Sequence, residues 1–320
     1  MNTALAPTPR GFEAVAACWV CGSGRFTRVH LAPFDFHQFE HEDAELFAYG
    51  GLDVWIAQCG DCGFRQPERL PALPRFFDRM YAQRWSEDWI AGEYDATYKD
   101  VIFRTILAQL DRRLGSDTCR ESRTLLDVGA HAGRFLSLAQ AAGWRVEGIE
   151  LNPRTAAYAA RRTGATVHHV NARELAAAGK RYTAVTLTDV LEHIPEPVAL
   201  LTTLATLVEP GGCIAVKVPC APSQAFKEQL IARVTSRRVS LADNLVHVNH
   251  FSPHSLALAL TRAGFSRTTV GAGAPELPPG RGVRGWLSNA FRRTVYAAAR
   301  LPGGVYTPLA LNLQAYGSKR

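Results

Sequence analysis

The sequence has 320 residues, 47% of them hydrophobic, so the chain can bury a large core as one large domain or two smaller ones. No apolar run approaches the roughly 20 residues that cross a bilayer, and the N-terminus lacks the basic start and apolar stretch of a signal peptide. We therefore expect a cytoplasmic protein without a transmembrane segment. The formal net charge of +7 arises after Glu276, where seven basic and no acidic residues follow. A charge confined to one segment disfavours a specific nucleic-acid groove.

Two pairs of cysteines follow a predicted flexible tail over residues 1–17. The pairs are Cys18–Cys21 and Cys59–Cys62, each with CxxC spacing and each followed directly by a glycine. Four thiolates on two tight turns suit a tetrahedral Zn²⁺ site, and a site closed by four protein ligands is structural because no position remains for a substrate. The sequence therefore predicts a zinc-binding module over residues 18–67. The other cysteines lack this spacing and are expected to be ordinary residues: Cys119, Cys213 and Cys220.

Residues 68–118 are predicted to form a helical linker and cap, since apolar residues between 101 and 110 recur at helical spacing. This segment is also rich in aromatic residues: Tyr81, Trp85, Trp89, Tyr94 and Tyr98. We expect them to form one wall of a substrate pocket. The alternative is that they only fill the core.

From residue 119 to the C-terminus, β-branched runs alternate with amphipathic helices. The predicted strands cover residues 124–128, 145–149, 166–170, 183–188, 213–218, a run after Gly264, and 308–316. The predicted helices cover residues 133–142, 153–163, 197–208 and 252–263. This order is typical of an α/β fold with a mainly parallel sheet and helices on both faces. The insertion over residues 219–251 is expected to form another pocket wall, or else a surface excursion.

Candidate cofactor residues follow the carboxyl ends of the predicted strands. Gly129 and Gly133 lie between the first strand and its helix, where glycines allow a ligand to approach the backbone. Such glycines also serve close packing, and their spacing alone is weak evidence. Glu150 ends the second strand 21 residues after Gly129, where an acid can accept both ribose hydroxyls of an adenosyl group. Asn171 follows the third strand, and its amide could hydrogen-bond an adenine edge.

Five segments in this order resemble the class I S-adenosylmethionine-dependent methyltransferases, in the branch with a Leu-Glu-His motif. They read LLDVGAHAG, GIELNP, LTDVLEHIPEP, LVEPGGCIAVKVP and HFSPHSLALALTRAGF. The resemblance implies a Rossmann-like methyltransferase sheet over residues 119–320 and S-adenosylmethionine as cofactor. It implies cofactor contacts at Asp127, Gly129, Ala130, Gly133, Glu150, Leu151, Asn171 and Asp189. The chain departs from the family at His131, where a glycine is usual, and at Asn171, where an aspartate is usual.

The cysteine module ahead of a methyltransferase core is similar to the sugar C-methyltransferases of antibiotic biosynthesis. Those proteins carry a further large C-terminal domain, which this sequence lacks, so we do not expect deoxysugar C-methylation. The predicted function is methyl transfer to the O, N or C atom of a small-molecule acceptor, such as a sugar or secondary metabolite. The alternatives are a methyltransferase that modifies RNA, DNA or protein with the zinc module as reader, and a non-catalytic binding protein.

His193 is the leading candidate for a general base, because the fourth strand faces the reactive methyl in this fold and methyl transfer often needs a proton acceptor. The alternative is a structural role within the Leu-Glu-His motif. His250 is a second candidate base. Asp189, Glu192 and His193 could instead hold a divalent ion, as in relatives with this motif. We disfavour that arrangement, because a fourth ligand would have to come from His247 or His250, far along the chain.

A basic amphipathic helix is predicted over residues 284–300. Its apolar stripe comprises Leu287, Phe291, Val295 and Ala298. We expect this stripe to cover the sheet, with Arg292, Arg293 and Arg300 facing water. The alternative is that the arginines meet an anionic partner, such as a diphosphate, a carrier protein or an acidic lipid surface.

Overall fold

The computed structural model describes residues 11–33, 43–83, 86–115, 123–235, 247–280 and 282–320. Trp85, Cys119 and the first ten residues of the predicted tail lie outside the described residues, as do residues 236–246 of the predicted insertion. Within the described residues, no helix is both long and apolar enough to span a membrane.

The N-terminal part contains two small antiparallel sheets. One joins β2 (Phe26–Pro33), β3 (Asp53–Cys59) and β4 (Arg65–Pro67), and the other pairs β1 (Phe12–Ala14) with β5 (Arg69–Pro71). A short helix, α1 (Ala44–Phe47), precedes β3. Three helices then lead to the large sheet: α2 (Phe76–Gln83), α3 (Glu87–Asp95) and α4 (Asp100–Leu114).

The large sheet has seven strands among the described residues. They are β6 (Thr124–Val128), β7 (Arg145–Ile149), β8 (Thr166–His168), β9 (Tyr182–Thr188), β10 (Val208–Pro219), β11 (Ser266–Ala272) and β12 (Asn312–Ser318). Their order across the sheet is β11-β12-β10-β9-β6-β7-β8, and β12 runs antiparallel to both of its neighbours. The helices between them are α5 (Arg134–Ala141), α6 (Pro153–Thr163), α7 (Ala172–Ala177), α8 (Pro197–Leu207), α9 (Ala221–Thr235), α10 (Pro253–Arg262) and α11 (Gly282–Ala299). The predicted α/β fold class is confirmed.

Successive residues of a strand point to opposite faces of the large sheet, and each face has its own hydrophobic core. Leu125 and Ala184 pack with α4 and α5 on one face, whereas Leu126 and Val185 pack with α7, α8 and α10 on the other. The second core also contains Cys18, Cys59 and Cys62. The cysteine segment therefore shares the core on this face of the large sheet, and its definition as a module over residues 18–67 remains a prediction.

The structure differs from the predicted elements in four places. The third strand ends at His168, and the last begins at Asn312. The predicted turn at Pro210–Gly212 is a register shift within β10, between Val208 and Cys213. The helix predicted over residues 284–300 is present as α11, but the predicted orientation of its apolar stripe is wrong, because Leu287 and Phe291 are exposed to solvent while Arg292 turns inward to the carbonyl oxygen of Glu276.

Candidate functional site

Two cavities adjoin at the carboxyl ends of β6, β7 and β9, which is where ligands bind in open α/β sheets. Their volumes are about 440 Å³ and about 260 Å³. Both are lined by Gly129, His131, Asp189 and His193, so these residues mark the place where the two cavities meet. The sequence motifs at the ends of three different strands are thus brought together.

The glycine loop after β6 approaches this junction closely. Gly129 has φ +77°, and a Cβ atom there would collide with the Val190 side chain, so only glycine fits without strain. His131, at the position of the family's usual glycine, also has a positive φ of 51° and lines both cavities. Burial lowers the pKa of its imidazole to about 4, and nearby Lys99 acts in the same direction. A neutral ring therefore forms part of the wall.

Gly133 has a different role from the predicted one. It lines neither cavity, and its Cβ would lie 2.9 Å from the Thr163 side chain and 3.1 Å from that of Ala159. Its smallness allows the start of α5 to pack against α6. This glycine serves packing, and we no longer place it among the cofactor contacts.

Glu150 is held in the larger cavity by two backbone donors. The N–H of His131 donates to Oε2 and the N–H of Asn152 donates to Oε1, both at 2.9 Å. Burial raises the pKa of this carboxyl group, and the two backbone hydrogen bonds counteract the rise. A carboxylate has about four acceptor positions, so both oxygens retain one for a ligand. This donor set fits the two hydroxyls of a ribose, and Leu151 lies beside it in the same wall.

Asn171 lines the larger cavity, but its side chain caps α7. Its Oδ1 accepts from the backbone N–H groups of Arg173 and Glu174, each at 3.0 Å, and its Nδ2 donates to the Glu174 carboxylate at 2.6 Å. The acceptor oxygen that was expected to meet adenine is therefore already engaged. A contact from this side chain to adenine remains a prediction, and this geometry argues against it.

Asp127 and Ala130, two of the expected cofactor contacts, line the smaller cavity. The hydroxyl of Thr186 donates to Asp127 Oδ1 at 2.7 Å. Burial raises the pKa of Asp127 to about 7, and the nearby Glu150 charge adds to the rise. Lys99 lines the same cavity, which therefore contains both an ammonium group and the carboxyl group of Asp127. This mixture suits the zwitterionic amino-acid end of S-adenosylmethionine.

Asp189 lines both cavities and forms ion pairs with two lysines. Its carboxylate accepts from Lys99 Nζ at 2.9 Å and from Lys217 Nζ. Burial acts to raise the pKa of Asp189, but Lys217 and Lys99 hold it well below its usual range. The sequence analysis missed both lysines. A lysine within the buried run of β10 was an available signal, because a buried ammonium requires a charged partner.

Two histidines face each other at the junction. The ring centroids of His193 and His247 are 4.7 Å apart, and ligand atoms of Glu192, His193 and His247 all lie within 4.8 Å of one another. The expectation that His247 is too distant is wrong. Asn249 holds its segment in place: the side-chain amide donates to the carbonyl oxygens of Leu191 and Ile194 at 2.7 and 2.6 Å.

His250 lies elsewhere. It is buried with its ring against that of His30, at a centroid distance of 6.0 Å, and it lines neither cavity. Burial lowers the pKa of its imidazole to about 3. We therefore no longer place it among the candidate bases.

Part of the predicted aromatic wall is present. Tyr81 lies 5.5 Å from the ring of His193, and Trp89 lies 5.0 Å from that of His131, as centroid distances. Tyr98 lines the smaller cavity with Trp89. Tyr94 lines neither cavity, and its hydroxyl is 2.9 Å from that of Ser137 on α5.

The four cysteines of the N-terminal pairs converge. Cys18 Sγ lies 3.6 Å from Cys62 Sγ, Cys21 Sγ lies 3.4 Å from Cys59 Sγ, and all four sulfur atoms lie within 4.8 Å of one another. Tetrahedral Zn²⁺ with bonds of about 2.3 Å separates its sulfur ligands by about 3.8 Å. The residues therefore fit a zinc ion.

Comparisons with known proteins agree with this site. The family model described as "Methyltransferase domain" matches residues 98–270, more than half of the chain. The chain is similar to the ubiquinone biosynthesis O-methyltransferase of Cereibacter sphaeroides, with 32% identity over 153 residues, covering 44% of this chain and 61% of that protein. It is also similar to the enzyme of that name from Paraburkholderia phytofirmans, with 34% identity over 98 residues, 29% of this chain and 42% of that protein. The chain thus spans about three fifths or less of the length of these relatives.

A solved structure shows the same fold. It is a chain in the complex between the Trm112 methyltransferase activator of Haloferax volcanii and a methyltransferase, with a TM-score of 0.50 and 15% identity, covering 76% of this chain and 96% of that one. The family match includes the glycine loop, the Glu150 strand end and the Leu-Glu-His segment. The chain therefore belongs to the methyltransferase domain family.

Proposed function

We propose that this enzyme methylates a hydroxyl oxygen of a small aromatic acceptor, with S-adenosylmethionine held by Glu150 and the glycine loop. The observation that carries the proposal is the junction of the two cavities, where His193 faces His247 and where Tyr81 packs on His193 and Trp89 on His131. Aromatic walls favour a flat acceptor ring. The similarity to O-methyltransferases of ubiquinone biosynthesis supports oxygen as the methylated atom.

In the proposed reaction, different residues bind the cofactor, accept the proton and orient the acceptor. The bound cofactor supplies an electrophilic methyl group on a sulfonium. Glu150 in the larger cavity would hold the ribose of the cofactor, and Asp127 in the smaller cavity would hold its amino-acid end. His193 accepts the hydroxyl proton as the oxygen attacks, which leaves the methyl on oxygen and the proton on the imidazole. Tyr81 restricts the acceptor to one orientation and keeps water from the reacting atoms.

A second arrangement is favoured by one specific observation. Glu192 is buried, and its Oε2 has no hydrogen-bond partner among the described residues, although it lies within reach of His193 and His247. These three groups would suit a divalent cation, which would acidify a bound hydroxyl in place of a general base. The two arrangements differ in their requirement for added metal.

The decisive experiment measures transfer of labelled methyl to defined acceptors. Purified enzyme is incubated with phenols, free sugars, total RNA and unfolded protein, and product formation is followed in each fraction. We expect label in phenols and none in RNA or protein. Transfer only to a macromolecule would refute the proposal. Stimulation by Mg²⁺ that is lost in Glu192→Gln would establish the metal arrangement over the base.

We also propose that the four N-terminal cysteines bind one structural Zn²⁺ per chain. Three of the four cysteines belong to the large core that also contains residues of α10, and the cluster lines neither cavity at the junction. An ion there would stabilise the fold without touching the acceptor.

A further inference from the structure

Helix α11, inserted between β11 and β12, contacts the rest of the protein through one face only. On that face, Asn289 donates to the carbonyl oxygen of Pro278 at 3.0 Å, and Arg292 donates to that of Glu276 at 3.4 Å. Tyr296 and Ala299 of the same face pack in a small cluster with Ala272. The other faces of the helix are open to solvent.

The opposite face carries four large apolar side chains. Val283 is 73% exposed, Trp286 68%, Leu287 54% and Phe291 69%. At about 100° per residue, these four occupy an arc of about 140° that points directly away from the packed face. Exposed apolar patches of this kind mark binding surfaces, because water contact with so many large apolar side chains is unfavourable.

The charges around this arc have one sign. Arg284 follows one edge of the arc and Arg293 the other, both exposed, and the sequence has no acidic residue between Leu277 and Arg320. A helix with tryptophan, leucine and phenylalanine on one face and arginines beside them is suited to the interface of an anionic bilayer. There the guanidinium groups reach the lipid phosphates while the apolar side chains enter the acyl boundary.

The packed side of α11 adds to this positive charge. A cavity of about 690 Å³ under its C-terminal end is lined by Arg104, Arg112, Arg113 and Arg300 and by no acidic residue. The Tyr316 hydroxyl, in the same lining, is buried and has no hydrogen-bond partner among the described residues. These arginines add positive charge near the helix, but they lie on the side opposite the apolar arc and would not touch a bilayer docked on that arc.

We propose that the outer face of α11 docks on a bilayer containing anionic phospholipid. A second copy of this chain is a poorer occupant. Two such helices would bring Arg284 and Arg293 of both copies together with no carboxylate on either helix to offset the repulsion. An acidic bilayer would bury the apolar arc and would also pair its phosphates with Arg284 and Arg293.

Vesicle flotation of the full chain tests the proposal. We expect the protein to float with phosphatidylglycerol–phosphatidylcholine vesicles at low salt and to remain below with pure phosphatidylcholine. Trp286→Ser with Phe291→Ser should weaken binding at least about tenfold, and Arg284→Glu with Arg293→Glu by a similar factor. Leu31→Ser is the matched control, since Leu31 is 45% exposed on β2, and it should float as the parent does.

Further measurements distinguish docking on a bilayer from misfolding, dimerisation and phosphate binding. Thermal unfolding and S-adenosylmethionine binding should be the same in all variants, which separates docking from misfolding. Equal binding to neutral vesicles, no binding to either, or equal loss in Leu31→Ser would overturn the proposal. So would a dimer in light scattering that Trp286→Ser dissolves, which would identify a second copy as occupant. Inorganic phosphate should release no more protein than chloride of equal ionic strength; specific release would identify a free-phosphate site instead.

Discussion

Replacing Glu150 by alanine tests the cofactor site most directly. Two backbone N–H groups, from His131 and Asn152, each occupy one acceptor position on this carboxylate at 2.9 Å. With about four acceptor positions on a carboxylate, two remain for the cofactor, one for each ribose hydroxyl. The alanine variant removes both while leaving β7 and the glycine loop in place.

The expected loss follows from those two hydrogen bonds. A hydroxyl left without an acceptor in a site closed from water costs about 1–3 kcal/mol. Since 1.4 kcal/mol corresponds to a factor of ten, two hydroxyls at the lower cost already give about a 30-fold effect. We expect the dissociation constant for S-adenosylmethionine, measured by isothermal titration, to rise at least tenfold.

A matched carboxylate within β7, three residues before Glu150, provides the control. Glu147 accepts from Lys180 at 2.6 Å and from the Tyr182 hydroxyl at 2.9 Å, and it lines neither cavity. Glu147→Gln should lower the thermal midpoint without changing cofactor affinity. If Glu150→Ala binds S-adenosylmethionine as tightly as the parent, or if Glu147→Gln weakens binding equally, Glu150 does not hold the ribose.

Three further predictions concern the metal, the base and the methionine end. Elemental analysis should find one zinc per chain, lost together with thermal stability in Cys59→Ser but retained in Cys213→Ser; a Cys59→Ser variant with full zinc content would contradict this. His193→Ala should reduce turnover by about 10²–10⁴-fold with cofactor affinity nearly intact, whereas lost affinity would indicate a structural role. Because the pKa of Asp127 is raised to about 7 and the cofactor ammonium prefers the ionised carboxylate, the acid must lose its proton on binding below that pH. Affinity should therefore rise as the pH rises through 7 and level off above it, and Asp127→Asn should flatten the profile; a flat profile in the parent would count against the assignment.

Strand positions were predictable because they depend on local pattern. The run over residues 124–128 is mostly apolar and is followed by a glycine loop, and β6 has those bounds. Glu150 could be found for a related reason: in a parallel sheet the carboxyl ends of neighbouring strands meet at one edge, so an acid directly after β7 must lie beside the loop after β6.

The failures come from information that a local pattern does not contain. Helical periodicity shows that Leu287 and Phe291 share a face with Trp286, but it does not show whether that face is turned inward. His247 reaches His193 through the side-chain hydrogen bonds of Asn249, between segments more than 50 residues apart. The spacing that identified Gly129 as a ligand-facing glycine applies equally to Gly133, whose role is helix packing.

The placement of the 247–251 segment links the cysteine cluster to turnover. Val248 is buried in the core of the small sheets, and His250 exchanges two backbone hydrogen bonds with Arg65 of β4, which follows Cys62 by three residues. The proposed zinc site would thus hold in place, through Arg65 and His250, the segment that carries His247 to the junction, whereas the loop after β6 is held separately by backbone hydrogen bonds from Gly129 and Ala130 to Ile149 of β7. Chelation should therefore separate two properties that normally vary together: a zinc-depleted enzyme would still retain its cofactor on a binding column while its catalytic rate falls. In a cell short of zinc, such a protein would accumulate as a cofactor-loaded but idle form.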